Sequence, residues 1–325
     1  MTQQNTPPDE PGVESSGAAE PGADGSGAAG ARGAAPRAVA VVGGGRMGAG
    51  IAQSFAVAGS RVVIVESGAD AAAAAVARVA GGLRRAAERG RLAAGVVPDE
   101  VVARVRAVAS VAELSADAGS SADAGPELVV EAVPEDAGLK ARVLAAAERA
   151  VGPDAVLATN TSSLSVTELA AALGRPDRFL GMHFFNPVPA SELVELVTAP
   201  ETAPATLAAA RGWAGALGKT AVVVRDSPGF ASSRLGVALG LEAIRMVEEG
   251  VAAPADIDTA MELGYRHPMG PLRLTDLVGL DVRLAIAEHL RRTLGERFAP
   301  PELLRAKVAR GELGRKTGQG FYAWP

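Results

Sequence analysis

The chain contains no cysteine, which excludes disulfides, thiolate nucleophiles and cysteine-ligated zinc together. Histidine is almost as scarce. His183, His267 and His289 are far apart, with no i,i+4 pair, so a metal site is not expected. No run approaches the ~20 uninterrupted apolar residues of a membrane span. The N-terminus lacks both a basic region ahead of an apolar core and an Arg-rich amphipathic pattern, so neither secretory nor organellar targeting is expected. A basic excess is missing too. The formal charge is −5, and the first 36 residues hold five acids against one arginine, leaving the remainder near −1. Nucleic acid is therefore not an expected partner, and neither is a membrane. A soluble, cytoplasmic protein is expected.

What is present is a chain of 325 residues with ample apolar content, long enough for two domains. Residues 1–36 are Pro, Gly, Ala, Ser and acid, with Val13 the only large aliphatic residue after Met1. Such a segment cannot bury enough surface to offset its ordering entropy and is expected to be a disordered tail.

Order is expected from Arg37. Residues 38–42 are a short apolar run of buried-strand type. Gly43, Gly45 and Gly48 then fill the three slots of G-x-G-x-x-G, and a helix follows. The first glycine makes the tight turn, the second lets backbone approach a pyrophosphate, and the third packs helix on strand. In an Ala/Gly-rich chain the motif alone is weak, but a second strand, Arg61–Val65, ends in Glu66, 21 residues after Gly45. An acid there accepts from a ribose 2′-OH and repels a 2′-phosphate, which favours NAD over NADP.

Further along, helices are expected over 69–91 and 98–106, a short strand over 108–111 and a surface loop over 115–126. The arginines of 69–91 read mainly as a solvated face, with one or two available to a substrate phosphate. The strand 128–133 leads into Pro134-Glu135-Asp136, which places Glu135 beyond a strand C-terminus, where open α/β sheets bind ligands. Lys140 lies one turn into the next helix. The strand 155–158 ends in Thr159-Asn160-Thr161-Ser162-Ser163, which reads equally as a cap for helix 166–173 or as hydroxyls aimed at a reacting oxygen.

The stretch Gly181-Met182-His183-Phe184-Phe185-Asn186-Pro187-Val188-Pro189, with Leu193-Val194-Glu195 after it, reads as strand, rigid turn and returning strand. That arrangement brings His183 beside Glu195, and a histidine oriented by a carboxylate is a general base. A lone histidine near aromatics is more often a packed core residue, and the paired acid shifts that balance. His267 and His289 have no such support and read as structural or surface residues. A helix (203–217) and a strand (220–224) close the first domain near residue 225. Helices are expected beyond it over 232–249, with Leu235, Leu239, Ala243 and Val247 at i,i+4 spacing, and over 256–263, 274–294 and 301–310.

Eight pieces, in order, resemble the 3-hydroxyacyl-CoA dehydrogenase family: GGGRMGAGIA, VVEAVPED, NTSSL, GMHFFNPVP with LVE, DSPGF with SR, DIDTAMELG, HPMGPLRLTDLVGLD and GRKTGQGFY. The resemblance covers nearly everything from Arg37 to Trp324. It implies an α/β, Rossmann-like NAD-binding domain (37–225) followed by an all-α C-terminal domain (226–325) that binds substrate and forms a homodimer. The activity implied is NAD-dependent interconversion of (S)-3-hydroxyacyl-CoA and 3-oxoacyl-CoA, with short-chain esters such as 3-hydroxybutyryl-CoA expected.

Residue by residue, the resemblance implies that His183 is the catalytic base, Glu195 its orienting acid, and Ser162 the contact to the reacting oxygen and the cofactor. NAD contacts are implied for Gly43, Gly45, Gly48, Met47, Glu66, Glu135, Lys140 and Lys316. Ser233 stands where many members carry a substrate-holding asparagine. A CoA-contacting serine of some members falls on Gly82, and the nearby CoA-contacting lysine on Arg89. Two other readings stay open. A relative acting on a non-CoA 3-hydroxy compound, such as a sugar acid or carnitine, is favoured only by Gly82. A non-catalytic NAD-binding protein is opposed by intact His183, Glu195 and Ser162.

Overall fold

The structure, a computed structural model, describes residues 33–119 and 125–325. The expected tail lies outside these residues except for 33–36, which carry no regular structure.

Among the described residues, eight strands form one sheet in the order β3-β2-β1-β4-β5-β6-β7-β8. They are β1 (Ala38–Val42), β2 (Arg61–Val65), β3 (Val105–Val108), β4 (Leu128–Glu131), β5 (Val156–Thr159), β6 (Phe179–Phe184), β7 (Leu193–Thr198) and β8 (Thr220–Arg225). Strands β1 to β6 are parallel, β7 runs antiparallel to β6, and β8 is parallel to β7. The central strands read as continuous Val/Leu/Ala runs because helices cover both faces. The covering helices are α1 (Arg46–Val57), α2 (Ala69–Glu88), α3 (Pro98–Val102), α4 (Ala137–Ala150), α5 (Val166–Ala170) and α6 (Pro204–Ala216).

The sheet order reverses between β1 and β4, so the loops after these strands diverge and leave a crevice at the strand C-termini. One core packs α1, α2 and α6 residues such as Ile51, Phe55, Leu83 and Ala210 on one face of the sheet. Another packs Leu144, Leu169 and Phe179 on the other.

Beyond β8 come α7 (Ser232–Glu248), α8 (Pro254–Gly264), α9 (Pro271–Val278), α10 (Leu280–Leu294) and α11 (Glu302–Ala309), with a separate core that includes Leu241, Leu272, Leu280 and Leu290. Asp276 ties the C-terminal end to this core, accepting from the Phe321 and Tyr322 N–H groups and from the Trp324 indole. None of the described helices is long and apolar enough to cross a membrane.

Several boundaries differ from the expectations. The helix expected over 98–106 ends at Val102, and the strand expected over 108–111 lies at Val105–Val108, where it pairs with Val62–Val65 of β2. Short apolar runs do not distinguish the two states, and sheet pairing decides. Part of the loop expected over 115–126 is a 3₁₀ helix, Val111–Gly119, and residues 120–124 lie outside those described. The single helix expected over 274–294 is broken at Gly279, whose φ of +106° no helix can hold. On α7, the face buried in the core carries Val237, Gly240, Leu241 and Ile244, whereas Leu235 is 70% exposed. A strict i,i+4 stripe drifts around a 3.6-residue helix, so it mixed two faces.

Candidate active site

Strands β6 and β7 are joined by a turn, and their register sets His183 directly opposite Glu195. Side chains opposite one another in an antiparallel pair share a face, and the His183 Nδ1 lies 2.8 Å from Glu195 Oε2. A carboxylate only accepts, so Nδ1 carries the hydrogen and the Nε2 lone pair is left for a substrate. The His183 ring is held between Phe185 (centroids 4.5 Å apart) and Phe230 (5.6 Å). His183 is 6% exposed and Glu195 1%.

Burial alone would push the Glu195 carboxyl up. The hydrogen bonds from His183 and from the Ser232 N–H and hydroxyl outweigh it and hold the group below the usual carboxylate range. These donors come from the start of α7: Oε1 accepts from Ala231 N–H (3.1 Å) and Ser232 N–H (2.8 Å), and Oε2 from the Ser232 hydroxyl (3.0 Å). Ser232 therefore holds the acid of the His183–Glu195 pair, although it stood out from no motif. Ser233 beside it is half-buried and shares none of these bonds.

At the end of β5, Asn160 Oδ1 accepts from the Phe184 N–H (2.9 Å) and ties this loop to the His183 strand. Glu135 gathers the following residues. One of its oxygens accepts from the Thr161 hydroxyl, the Ser162 and Ser163 N–H groups (3.0 and 3.1 Å) and the Ser163 hydroxyl. Burial raises the Glu135 pKa, but the Thr161 hydroxyl, the Lys140 charge and the Ser162 and Ser163 bonds bring it below the usual range. The Ser162 side chain is exposed, with its hydroxyl unengaged by any described residue. The cap of α5 is Ser165, which lies outside the Thr159–Ser163 cluster and accepts from Glu168 N–H, so the capping reading of that cluster does not hold.

Lys140 is only 1% exposed. Its ammonium pairs with Glu131 (2.8 Å) and Glu135 (3.3 Å) and donates to the Val133 carbonyl. Glu131, fully buried, also accepts from the Thr159 hydroxyl (2.6 Å) and the Val133 N–H (2.7 Å). An acid inside the apolar strand LVVE was the sequence signal for this network, because a buried carboxylate requires partners.

The glycine loop fits a dinucleotide. Gly43 has a φ of +97°, and a Cβ there would press on the Ala132 carbonyl at 2.8 Å. A Cβ on Gly48 would fall 1.7 Å from the Gly43 carbonyl, so close packing requires that glycine. Gly45 is different: a Cβ there meets nothing within 4 Å. The open side of Gly45 is where a pyrophosphate can approach the start of α1, whose N-cap offers no side-chain acceptor to the first amides. Met47 lies half-buried in the first turn of α1. The Glu66 carboxylate faces this loop and accepts from the Gly44 N–H at 2.7 Å.

Three further positions lie on other elements. Lys316 is held by both oxygens of Asp281, each at 2.6 Å, on the helical part of the chain. Arg89 is exposed at the far end of α2, about 30 Å along the helix from its start beside Glu66. Gly82 faces α1, where a Cβ would come 2.3 Å from Oε1 of the buried Gln53. That oxygen ends a flexible side chain, so the contact does not by itself require glycine at position 82.

Residues 38–227 match the family model described as 3-hydroxyacyl-CoA dehydrogenase, NAD binding domain, and residues 229–324 match its C-terminal domain. A 3-hydroxybutyryl-CoA dehydrogenase of Mycobacterium tuberculosis is 43% identical over 289 residues, covering 88% of this chain and 98% of that protein. A probable 3-hydroxybutyryl-CoA dehydrogenase of Bacillus subtilis is 41% identical over 285 residues, covering 87% and 96%. The crystal structure of an (S)-3-hydroxybutyryl-CoA dehydrogenase from Ralstonia eutropha superposes with a TM-score of 0.81 at 40% identity, covering 90% of this chain and all of that one.

Proposed function

Because the chain belongs to the 3-hydroxyacyl-CoA dehydrogenase family, we propose that it interconverts short-chain (S)-3-hydroxyacyl-CoA and 3-oxoacyl-CoA esters with NAD, 3-hydroxybutyryl-CoA being the reference substrate. The observation that carries the reading is the buried His183–Glu195 pair with Nε2 left free. The same proposal divides the chain into an NAD-binding domain (37–225) and a substrate and dimerisation domain (226–325). It places the enzyme in the cytoplasm, as a homodimer working in fatty acid and acyl-CoA metabolism.

NAD, held along the glycine loop and Glu66, supplies the hydride acceptor. His183 Nε2 takes the C3 hydroxyl proton as C3 loses its hydride, and Glu195 stabilises the imidazolium that forms. Ser162 and Ser233 donate to the oxygen as it becomes a carbonyl. In the reducing direction His183 returns the proton. Glu135 and Lys140 fix the loop that presents Ser162.

The test is NADH oxidation with acetoacetyl-CoA, beside longer 3-oxoacyl-CoAs, with NADPH and free 3-oxo acids as controls. Rapid NADH-specific turnover that falls with chain length is the expected result. Turnover of free acids or dehydrocarnitine with inert CoA esters would overturn the CoA assignment.

A further inference from the structure

The connection between β6 and β7 is held from two sides by groups outside the catalytic cluster. Below it, Lys219 is only 8% exposed, yet among the described residues no carboxylate pairs with it. Its ammonium instead donates to the carbonyls of Val188 (2.7 Å) and Ser191 (2.5 Å). The lysine itself has little freedom. It follows Gly218, whose φ of +70° ends α6, its own N–H donates to the Ala214 carbonyl, and the N–H of Thr220 next to it donates to the Glu192 carbonyl at 2.6 Å. On the other side, Val188 is buried against Gly50 of α1, where a Cβ would come within 3.0 Å of the Val188 Cβ.

We propose that Lys219 is a positioning residue: it pins the β6–β7 turn against α1, and so sets the separation between the His183 imidazole and a dinucleotide held at the start of the same helix. The inference rests on the dehydrogenase reading above. The turn begins at Asn186, three residues after His183, and Phe185 between them packs on the imidazole ring. Movement of the turn is therefore movement of the base. A cation without an acid partner is costly to bury, and burial pushes the Lys219 pKa down. A threonine hydroxyl has a single donor and could serve only one of these carbonyls, and an asparagine amide would serve both without charge. The ammonium supplies stronger, charge-assisted bonds to both at once. Displacing reacting groups by about 1 Å costs on the order of 100-fold in rate, so rigidity here bears on the chemical step rather than on cofactor binding.

The experiment compares wild type, Lys219→Met, Lys219→Arg and Gly50→Ala, all as full chains. Turnover is followed with acetoacetyl-CoA, NADH affinity by fluorescence, and Tm by calorimetry. Lys219→Met should lose on the order of 100-fold in kcat at temperatures well below its Tm, with the NADH Kd within about twofold of wild type. With 4-deuterated NADH it should show a fully expressed primary isotope effect. Lys219→Arg, which retains donors, should recover part of kcat. Gly50→Ala pushes on Val188 from the opposite side and should also lower kcat, which keeps the inference testable if Lys219→Met does not fold. Wild-type kcat and isotope effect in a Lys219→Met enzyme with only a lowered Tm would overturn the positioning role, as would unchanged kcat in Gly50→Ala. An inert wild type that still binds NADH would instead overturn the dehydrogenase reading, and this inference with it.

Discussion

His183 and Glu195 are paired residues of two antiparallel strands, and the acid that fixes the histidine is itself fixed by the first residues of α7. The pair therefore joins the sheet to the helices that follow it. Changes at the α7 N-terminus should be felt at the imidazole.

His183→Gln removes the proton acceptor while keeping a side chain of similar size. Turnover should fall on the order of 10²–10⁴-fold, with NADH affinity near wild type because the glycine loop is untouched. Steady-state kinetics and fluorescence titration check this, and a parallel loss of NADH binding would point to a structural histidine.

Glu195→Gln should reduce kcat strongly and also change stability at low pH. Glu195 is held below its ordinary range in the folded protein. Its contribution is therefore complete above the unfolded carboxylate value of roughly 4.3 and is lost as pH falls through the lower folded value. Tm measured from neutral pH into this acid window should drop less steeply for the variant than for wild type. Identical slopes would remove Glu195 from the acid transition.

Ser232 and Ser233 should separate cleanly. Ser232→Ala removes a hydroxyl bonded to Glu195 and should cost about 1 kcal/mol of stability together with a loss in kcat. Ser233→Ala should leave Tm unchanged and act on the acyl-CoA KM and kcat alone. Chemical denaturation beside kinetics distinguishes them.

Lys140→Met leaves the buried Glu131 without its ion-pair partner. A loss of about 3–5 kcal/mol is expected, and a second substitution, Glu131→Leu, should restore part of it. Urea titrations of the single and double variants measure this coupling. Additive effects would mean the two groups act independently.

Gly45→Ala and Gly48→Ala should have opposite consequences. Nothing in the protein meets a Cβ at Gly45, whose φ of −61° suits any residue, so that variant should fold normally and bind NADH more weakly. At Gly48 the Cβ would overlap the Gly43 carbonyl, so that variant should unfold at lower temperature. Calorimetry with NADH titration tests both.

Much of this protein was legible in contiguous residues. The buried strands, the glycine loop with Glu66 after the next strand, and the hairpin that sets His183 against Glu195 are all short-range patterns, in which alternation, turn chemistry and spacing dictate geometry. Only the tertiary structure decided which neighbouring serine meets Glu195, because that depends on how α7 is rotated when it docks 37 residues further along the chain. The same holds for the buried face of α7, the break at Gly279, the crossing of Gly82 over Gln53, and the sinking of Lys140 and Lys219 into the interior. Each depends on which surfaces meet when distant segments pack, and local sequence carries no record of the partner until the chain has closed on it.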